Sequence, residues 1–401
     1  MKAFDNQKNL MMLGVCPEQF PFIQELLDDG HRIIFCERDK TNINKLNNIL
    51  SEAHYAKSVI IYECDLADKD RILNIAEKEK VDALIPVPLG KVFSTVGYIN
   101  SQLNLPGVSY EACLNFTDKL KVYNLLKKEN NLNCASQWNA TELDKVVFPC
   151  IVKPRFGCGS RGVKTAKNFN ELLEACEFCR KDFSATIEDK DILIEEYIEG
   201  NEYSCNFFFR DGKAEIYCFL KKKMTEIPYR QEVTYEDNAL NDDEKATIED
   251  YISKCAKTLK INNSVVNCDL ILSSKGPYVI DVSARFPGNF VCSIAKSKGE
   301  DLGRMYLEFI FNKKLPQLPE PHLKAYFSMF NIGSGKLLSV PESIHTANFI
   351  AENNLKAGDE VKAVTNGRSL LSRGYALCLD DSIEKAKKKV DNYLKMFVLK
   401  D

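Results

Sequence analysis

The chain has 401 residues, with 54 Lys plus Arg against 57 Asp plus Glu, a net charge of −3, and 45% hydrophobic and 28% charged residues. That balance suits an ordinary globular protein of roughly two or three domains, at about 150 residues each. Without excess basic charge it excludes a binder that neutralises nucleic-acid phosphates over a broad surface. The four histidines, His31, His54, His322 and His345, form no HxxxH or HxH pair, which argues against a zinc hydrolase. Fifteen cysteines are an odd number spread over the whole length, the pattern of reduced thiols in a large cytoplasmic chain. Cys176 and Cys179 make a CxxC inside the helix-like run Phe169–Arg180, with no second pair to complete a zinc site, so structural thiols are expected there. The opening MKAFDNQKNLMML has no basic segment leading into an apolar leader. No run approaches the ~20 apolar residues that span a bilayer, so a soluble protein is expected.

In chain order, Asn9–Cys16 is an apolar run closed by Pro17, and Phe22, Ile23, Leu26 and Leu27 follow at helical spacing up to Gly30. His31–Cys36, Val59–Glu63 and Val81–Val87 read as further strands, with a helix through Ile72, Leu73, Ile75 and Ala76 between the last two. Strands alternating with helices predict a parallel, doubly wound α/β domain over about residues 1–115. Its first strand–helix turn, GVCPEQ, lacks the GxGxxG of a dinucleotide site.

From Thr117 the pattern changes to α+β. Thr117 or Asp118 caps a helix predicted over Lys119–Asn130. A strand follows over Val146–Lys153, then a glycine-rich stretch, a short strand near Val163 and a helix from Asn170. Asp191–Ile198, Glu202–Phe209 and Ala214–Leu220 read as antiparallel strands, turning at Gly200 and at Asp211–Gly212. Asp237–Glu244 is an acidic stretch expected to be an exposed loop or helix start, before a helix over Thr247–Leu259. Ser264–Leu272 and Tyr278–Val282 form a hairpin around Lys275–Gly276. Residues 320–401 read as a mixed α/β appendage ending in a charged helix, Ser382–Phe397.

Chemistry gathers in three places. Gly157, Gly159 and Gly162 spell GxGxxG between two strands, so the segment is a hairpin loop and not a strand-to-helix turn. Such a loop lays backbone N–H groups over phosphates, and Ser160 leaves room for that approach; the alternative is a flexible surface turn. Lys153 at the end of the preceding strand and Lys119 at the start of the earlier helix can each place a positive charge on a phosphate. On the late hairpin, Asp269 and Asp281 face each other from two arms, and Asp281 and Ser283 share a strand face. Hard oxygen ligands of this kind suit Mg²⁺, with Arg285 nearby to orient an anionic substrate. The run Lys221–Lys223 follows an apolar strand and reads as a solvated cationic edge, with one of the three lysines facing the site as the alternative.

In combination these pieces resemble the ATP-grasp superfamily of ligases, in the branch with carbamoyl-phosphate synthetase, biotin carboxylase and the L-amino-acid ligases. Asp118–Lys119 and IVKP at Ile151–Pro154 match its two phosphate-binding lysine segments, and IEEYIEGNE at Ile194–Glu202 matches its adenine-binding segment. The resemblance implies a pre-ATP-grasp domain over 1–115, an ATP-grasp domain over 116–315 with a small lid at about 140–200, and a C-terminal extension over 316–401. It also implies that Glu195 accepts from the adenine amino group, that the backbone of Glu196 and Ile198 meets the adenine edge, and that Glu202 binds the ribose. The metal ligands would be Asp269, Asp281 and Ser283, where the family carries an acid and then E-x-N-x-R. Here that segment is D-V-S-A-R, so Asp281 is one methylene shorter and Ser283 offers a hydroxyl in place of a carbonyl. The implied activity is carboxylate–amine or carboxylate–thiol ligation through an acyl phosphate, using ATP with Mg²⁺ or Mn²⁺ and Arg285 on the reacting carboxylate. The implied partners are small molecules, with neither nucleic acid nor membrane, and a homodimer is common among relatives. A bicarbonate-activating ATPase and an ATP-binding regulatory protein that has lost turnover are the alternatives; Ser283 keeps the second alive.

Overall fold

The computed structural model describes residues 7–15, 19–52, 55, 57–129, 131–157, 159–183, 188–237, 240–288, 291–318, 322–365 and 367–400. Cys16–Pro17, where the first apolar run was expected to end, lie outside the described residues.

The N-terminal part runs β1 (Asn9–Leu13), α1 (Phe20–Asp28), β2 (Arg32–Glu37), α2 (Lys40–Glu52), β3 (Val59–Glu63), α3 (Lys69–Lys78), β4 (Ala83–Ile85), α4 (Ser94–Gln102), α5 (Tyr110–Phe116) and α6 (Lys119–Leu126). Its sheet has the order β3-β2-β1-β4 with every pair parallel. Alternation along a strand sends neighbouring residues to opposite faces. Leu10, Met12, Ile33 and Phe35 therefore join one core, and Met11, Leu13, Ile34 and Cys36 another. Both faces are covered, as the unbroken apolar strands require. β4 stops at Ile85, short of the expected Val87, because Pro86 carries no N–H for a ladder. Asp118 is the cap of α6, its Oδ1 accepting from the backbone N–H of Leu120 at 3.1 Å. That helix ends at Leu126, and Asn130, its expected end, lies outside the described residues.

A second, four-stranded antiparallel sheet contains β5 (Gln137–Asn139), β6 (Cys150–Pro154), β7 (Lys164–Ala166) and β8 (Ile192–Glu196), in the order β5-β8-β6-β7, and is backed by α7 (Phe169–Phe183). β6 begins at Cys150 and not at Val146: Pro149 has no N–H and follows a cis peptide bond. Cys176 and Cys179 are buried from α7 against Cys150, Val152 and Ile194, which makes this CxxC part of a small core.

The third layer contains β9 (Asn201–Arg210), β10 (Lys213–Met224), β11 (Glu232–Asp237), α8 (Asp242–Thr258), β12 (Ser264–Ser273), β13 (Gly276–Ser283), α9 (Val291–Ser297) and α10 (Leu302–Asn312). The C-terminal segment adds β14 (Lys324–Met329), β15 (Gly335–Ser339), β16 (Ile344–His345), β17 (Phe349–Asn353), β18 (Glu360–Val361), α11 (Gly367–Leu371), β19 (Gly374–Asp380), α12 (Ile383–Leu394) and β20 (Val398–Leu399). One sheet takes strands from both, in the order β13-β12-β9-β10-β11-β14-β19-β17-β16. The C-terminal strands thus extend the central sheet. β8 was expected to be the first of three antiparallel neighbours; it belongs instead to the second sheet, and Gly200 marks the crossing between layers. A Cβ on Gly200 would lie 2.4 Å from the carbonyl oxygen of Leu272, so only glycine fits that crossing.

Asp237, expected on an exposed acidic loop, ends β11 with its side chain only 8% exposed. Its carboxylate meets Lys298 at 3.1 Å and accepts from the Ala325 N–H of β14 at 2.7 Å. Glu300 completes this group, 3.9 Å from Lys298, and burial pushes its carboxyl up to about 7 against the partial offset of Lys298. A carboxyl raised in the folded state binds a proton that the unfolded chain has released. Stability from this group is therefore complete below the ordinary carboxylate range and lost as pH rises through 7. Glu300→Gln should remove that dependence and gain on the order of 2 kcal/mol over the parent at pH 8. Urea titrations at pH 5.5 and pH 8 check it; parallel pH profiles for parent and variant would refute it.

The N-terminal part is docked on the central sheet through α1, α9 and α10. Phe22 and Phe286 meet with ring centroids 4.6 Å apart, and the Phe286 N–H donates to the Pro86 carbonyl at 2.8 Å. This seam sets residues 86–88 and 286–288 beside the cleft described next.

Candidate active site

The second sheet lies over the central one and encloses a cavity of about 340 Å³. The lid side supplies Ile151 and Lys153 from β6, Glu195 from β8, and Gly157, Gly159, Ser160 and Val163 from the glycine hairpin. From below come Glu202, Met224, Asp269, Ile271, Asp281 and Arg285. Ile151, Val163, Met224 and Ile271 supply apolar lining beside the charged groups.

The glycine-rich stretch is a hairpin loop, since β6 and β7 pair antiparallel across it. Gly159 and Gly162 take φ of +65° and +68°, which glycine adopts without strain. The Gly157 carbonyl accepts from Lys119 Nζ at 2.9 Å, and the Gly162 N–H donates to Asp182 at 2.7 Å. Arg155 forms two hydrogen bonds to Asp118, at 2.7 and 2.6 Å, so the cap of α6 and the start of the hairpin are clamped together.

Lys153 is buried, with Nζ 2.7 Å from Glu195, 3.2 Å from the Tyr123 hydroxyl and 3.1 Å from the Ile280 carbonyl. Glu195, expected to meet an adenine amino group, is thus ion-paired to Lys153 inside the cleft. Glu196 points the other way, accepting from the Ser136 N–H at 3.1 Å. Neither Glu196 nor Ile198 is part of the lining. Strand alternation explains Glu196: its neighbour Glu195 takes the inward position.

Asp269 and Asp281 are register partners on β12 and β13. Lys119 lies 3.2 Å from Asp281. Burial would raise the Asp281 carboxyl, but Lys119, Lys153 and Arg285 outweigh it and hold the group below the usual carboxylate range. For Asp269, burial together with Glu232, Glu202 and Asp281 prevails over Lys222, and its carboxyl is pushed up to about 6. Among the described residues no cluster of three or more His, Cys, Asp or Glu forms a ready cage for a metal. Two facing carboxylates suit Mg²⁺, which is usually held by one or two protein acids together with phosphate oxygens and water. Ser283 faces a smaller recess of about 40 Å³, shared with Thr117, Phe156 and Arg285.

Lys222 corrects the reading of Lys221–Lys223 as a solvated edge. Its side chain is 1% exposed, with Nζ 3.2 Å from Glu202, 2.8 Å from Glu232 and 2.9 Å from Asp269. The signal was available in the strand period: Lys222 shares a face with buried Leu220 and with Met224, which lines the cleft. Arg230, Glu232 and Asn267 also line the cleft and carried no such mark. Arg230 reaches Glu202 at 2.5 Å from a segment with no legible periodicity.

The architecture is thus a two-sheet clasp over a groove lined by both apolar and charged side chains. Residues 146–293 match the sequence profile of the ATP-grasp domain family. The chain is 28% identical over 199 residues to D-alanine–D-alanine ligase A of Bacillus cereus, covering 46% of this chain and 58% of that one. It is 26% identical over 148 residues to dapdiamide A synthase of Enterobacter agglomerans, covering 35% and 34%. The chain spans little more than half the length of the first of these relatives. Among solved structures, the L-amino acid ligase of Bacillus licheniformis superposes with a TM-score of 0.74 at 18% identity, covering 99% of this chain and 100% of that one. Biotin carboxylase of Campylobacter jejuni gives 0.70 at 15%, covering 98% and 92%. Residues 146–293 are thus similar to the ATP-grasp domain, and the solved neighbours share the fold of nearly the whole chain.

Proposed function

We propose that this protein is an ATP-dependent ligase that joins a carboxylate to an amine, with a thiol as the less common acceptor, and releases ADP and phosphate. The observation that carries the reading is one cleft in which a glycine hairpin, Lys119, Lys153 and two register-paired aspartates converge. We assign the apolar lining of Ile151, Val163, Met224 and Ile271 to the adenine, Glu202 to the ribose, and the hairpin with Lys119 and Lys153 to the phosphates. Asp269 and Asp281 are assigned to Mg²⁺, which supplies charge neutralisation on the phosphates when bound. The working division of the chain is 1–115, 116–315 and 316–401.

In the proposed reaction a substrate carboxylate oxygen, oriented by Arg285, attacks the γ-phosphorus and ADP leaves. The acceptor nitrogen then attacks the acyl carbon, loses its proton to solvent or a nearby base, and phosphate departs. The protein needs little covalent chemistry for this. Lys119 and Lys153 lie where negative charge gathers, and the hairpin keeps water from the acyl phosphate. Lys119 is held by Asp281 and the Gly157 carbonyl, so an arriving phosphate competes with protein oxygens for a cation already aimed at it. The similarity to D-alanine–D-alanine ligase, named for joining two amino acids, supports an amine acceptor over bicarbonate activation. The buried free thiols fit a cytoplasmic setting.

Calorimetry with ADP and Mg²⁺ tests the nucleotide assignment, and Lys153→Ala should weaken binding at least about tenfold, the loss of one charge-assisted contact. Parental affinity in that variant would contradict the phosphate role. A screen of carboxylate and amine pairs for phosphate release, with product mass, tests the ligation. ADP formation that needs only bicarbonate would replace this reading with the carboxylase type.

A further inference from the structure

The departure at position 283 has a counterpart on the adjacent strand. In the β12–β13 ladder Asn267 is the register partner of Ser283, as Asp269 is of Asp281. Residues two apart on a strand share a face. The four side chains therefore form a square on the cleft side: two acids at one edge, an amide and a hydroxyl at the other. The two members of the second edge are not equivalent. Asn267 lines the main cavity beside Asp269, whereas Ser283 lines the smaller recess.

The Asn267 amide is held in one orientation. Its Nδ2 donates to Asn206 Oδ1 at 3.0 Å and to Ser204 Oγ at 3.3 Å, both on β9. Asn206 is fully buried, and its own Nδ2 donates to Ser204 Oγ at 3.1 Å, which leaves its Oδ1 to accept. A flipped Asn267 would set two carbonyl oxygens against each other. Both N–H groups are thus committed toward β9, and the planar amide turns its carbonyl the other way, to the side of the ladder where β13 carries Asp281. Asn267 Oδ1 accepts no hydrogen bond from the described residues. An amide carbonyl is a hard oxygen donor suited to a small divalent cation.

We propose that Asn267 supplies the carbonyl ligand that position 283 lacks, so that the cation bound with nucleotide is held by Asp269, Asp281 and Asn267 Oδ1. This rests on reading the cleft as a Mg²⁺–nucleotide site. The same carbonyl ligand is delivered from the neighbouring strand, across one register pair.

Mn²⁺ is the probe, titrated into the full-length protein with saturating ADP and followed by electron paramagnetic resonance. Asn267→Ala should weaken Mn²⁺ binding about tenfold or more, the usual scale for disturbing a metal's ligand set. Its affinity for ADP in excess chelator should stay within about twofold of the parent, because that contact involves no metal. Adding Ser283→Asn to Asn267→Ala should recover most of the Mn²⁺ affinity by returning a carbonyl to the opposite corner of the square. Unchanged Mn²⁺ affinity in Asn267→Ala overturns the proposal while leaving the nucleotide reading intact. So does a loss that Ser283→Asn does not recover, or one shared by ADP in chelator. A parent protein that binds no ADP at all overturns the nucleotide reading itself, and this assignment with it.

Discussion

Asp281→Asn is expected to lower Mg²⁺-dependent ATP turnover by at least about a hundredfold, as the loss of a ligand carboxylate does where metal and phosphate share a site. The substitution is nearly isosteric, and among the described residues Asp281 accepts from no backbone N–H through its side chain, so the protein should remain folded. ADP without metal should bind at least as well as to the parent. The Asp281 carboxylate lies 3.2 Å from Lys119, and removing its charge frees that ammonium for phosphate. The two readouts move in opposite directions, which separates a ligand role from general damage. Steady-state ADP release with Mg²⁺, together with calorimetry in chelator, decides it. Parental turnover would exclude Asp281 as a metal ligand.

Lys222→Met is expected to destabilise the protein by about 3 kcal/mol or more at pH 7.5, within the range for removing one partner of a buried ion cluster. Met fills the volume and restores none of the charge. Three carboxylates that share the ammonium at 2.8–3.2 Å would be left to repel one another. Glu202 keeps Arg230 and Glu232 keeps the Tyr235 hydroxyl at 2.6 Å, so the penalty falls chiefly on Asp269. Its carboxyl is already raised to about 6, and loss of Lys222 raises it further. A carboxyl raised in the folded state costs stability as pH increases, so the difference from the parent should shrink at pH 5 and widen toward pH 8. Urea denaturation at those three pH values measures it. A loss below about 1 kcal/mol at pH 7.5, the scale of an exposed pair, would show that the cluster is solvated.

The fold class was legible because its signals are local and repeated. Alternating strands and helices in the first third, with apolar residues on both strand faces, require a doubly covered parallel sheet. The glycine hairpin was recognisable from its flanks, a strand on each side with no helix start. The tight turn at Ser273–Gly276 made the hairpin recognisable, but unbroken register would set Asp269 opposite Ile280; a bulge between Asp269 and Leu270 shifts it to Asp281. Glu195 and Glu196 show the limit. Adjacent acids on a strand must face opposite ways, but which one turns inward depends on the sheet that β8 joins, and its partners β5 and β6 lie at other places in the chain.

By itself the sequence determined the chain of elements, the hairpin and the two aspartates. All of these follow from the short-range periods of backbone geometry. Only the tertiary structure decided that Lys222 is a buried counterion, that Asp237 anchors β14, and that the Asn267 amide is pinned by donating to Ser204 and Asn206 on β9. Those outcomes depend on charges and amides brought together from strands tens of residues apart. Electrostatic compensation acts through space, and a charged residue shows its partner only when the strands lie side by side.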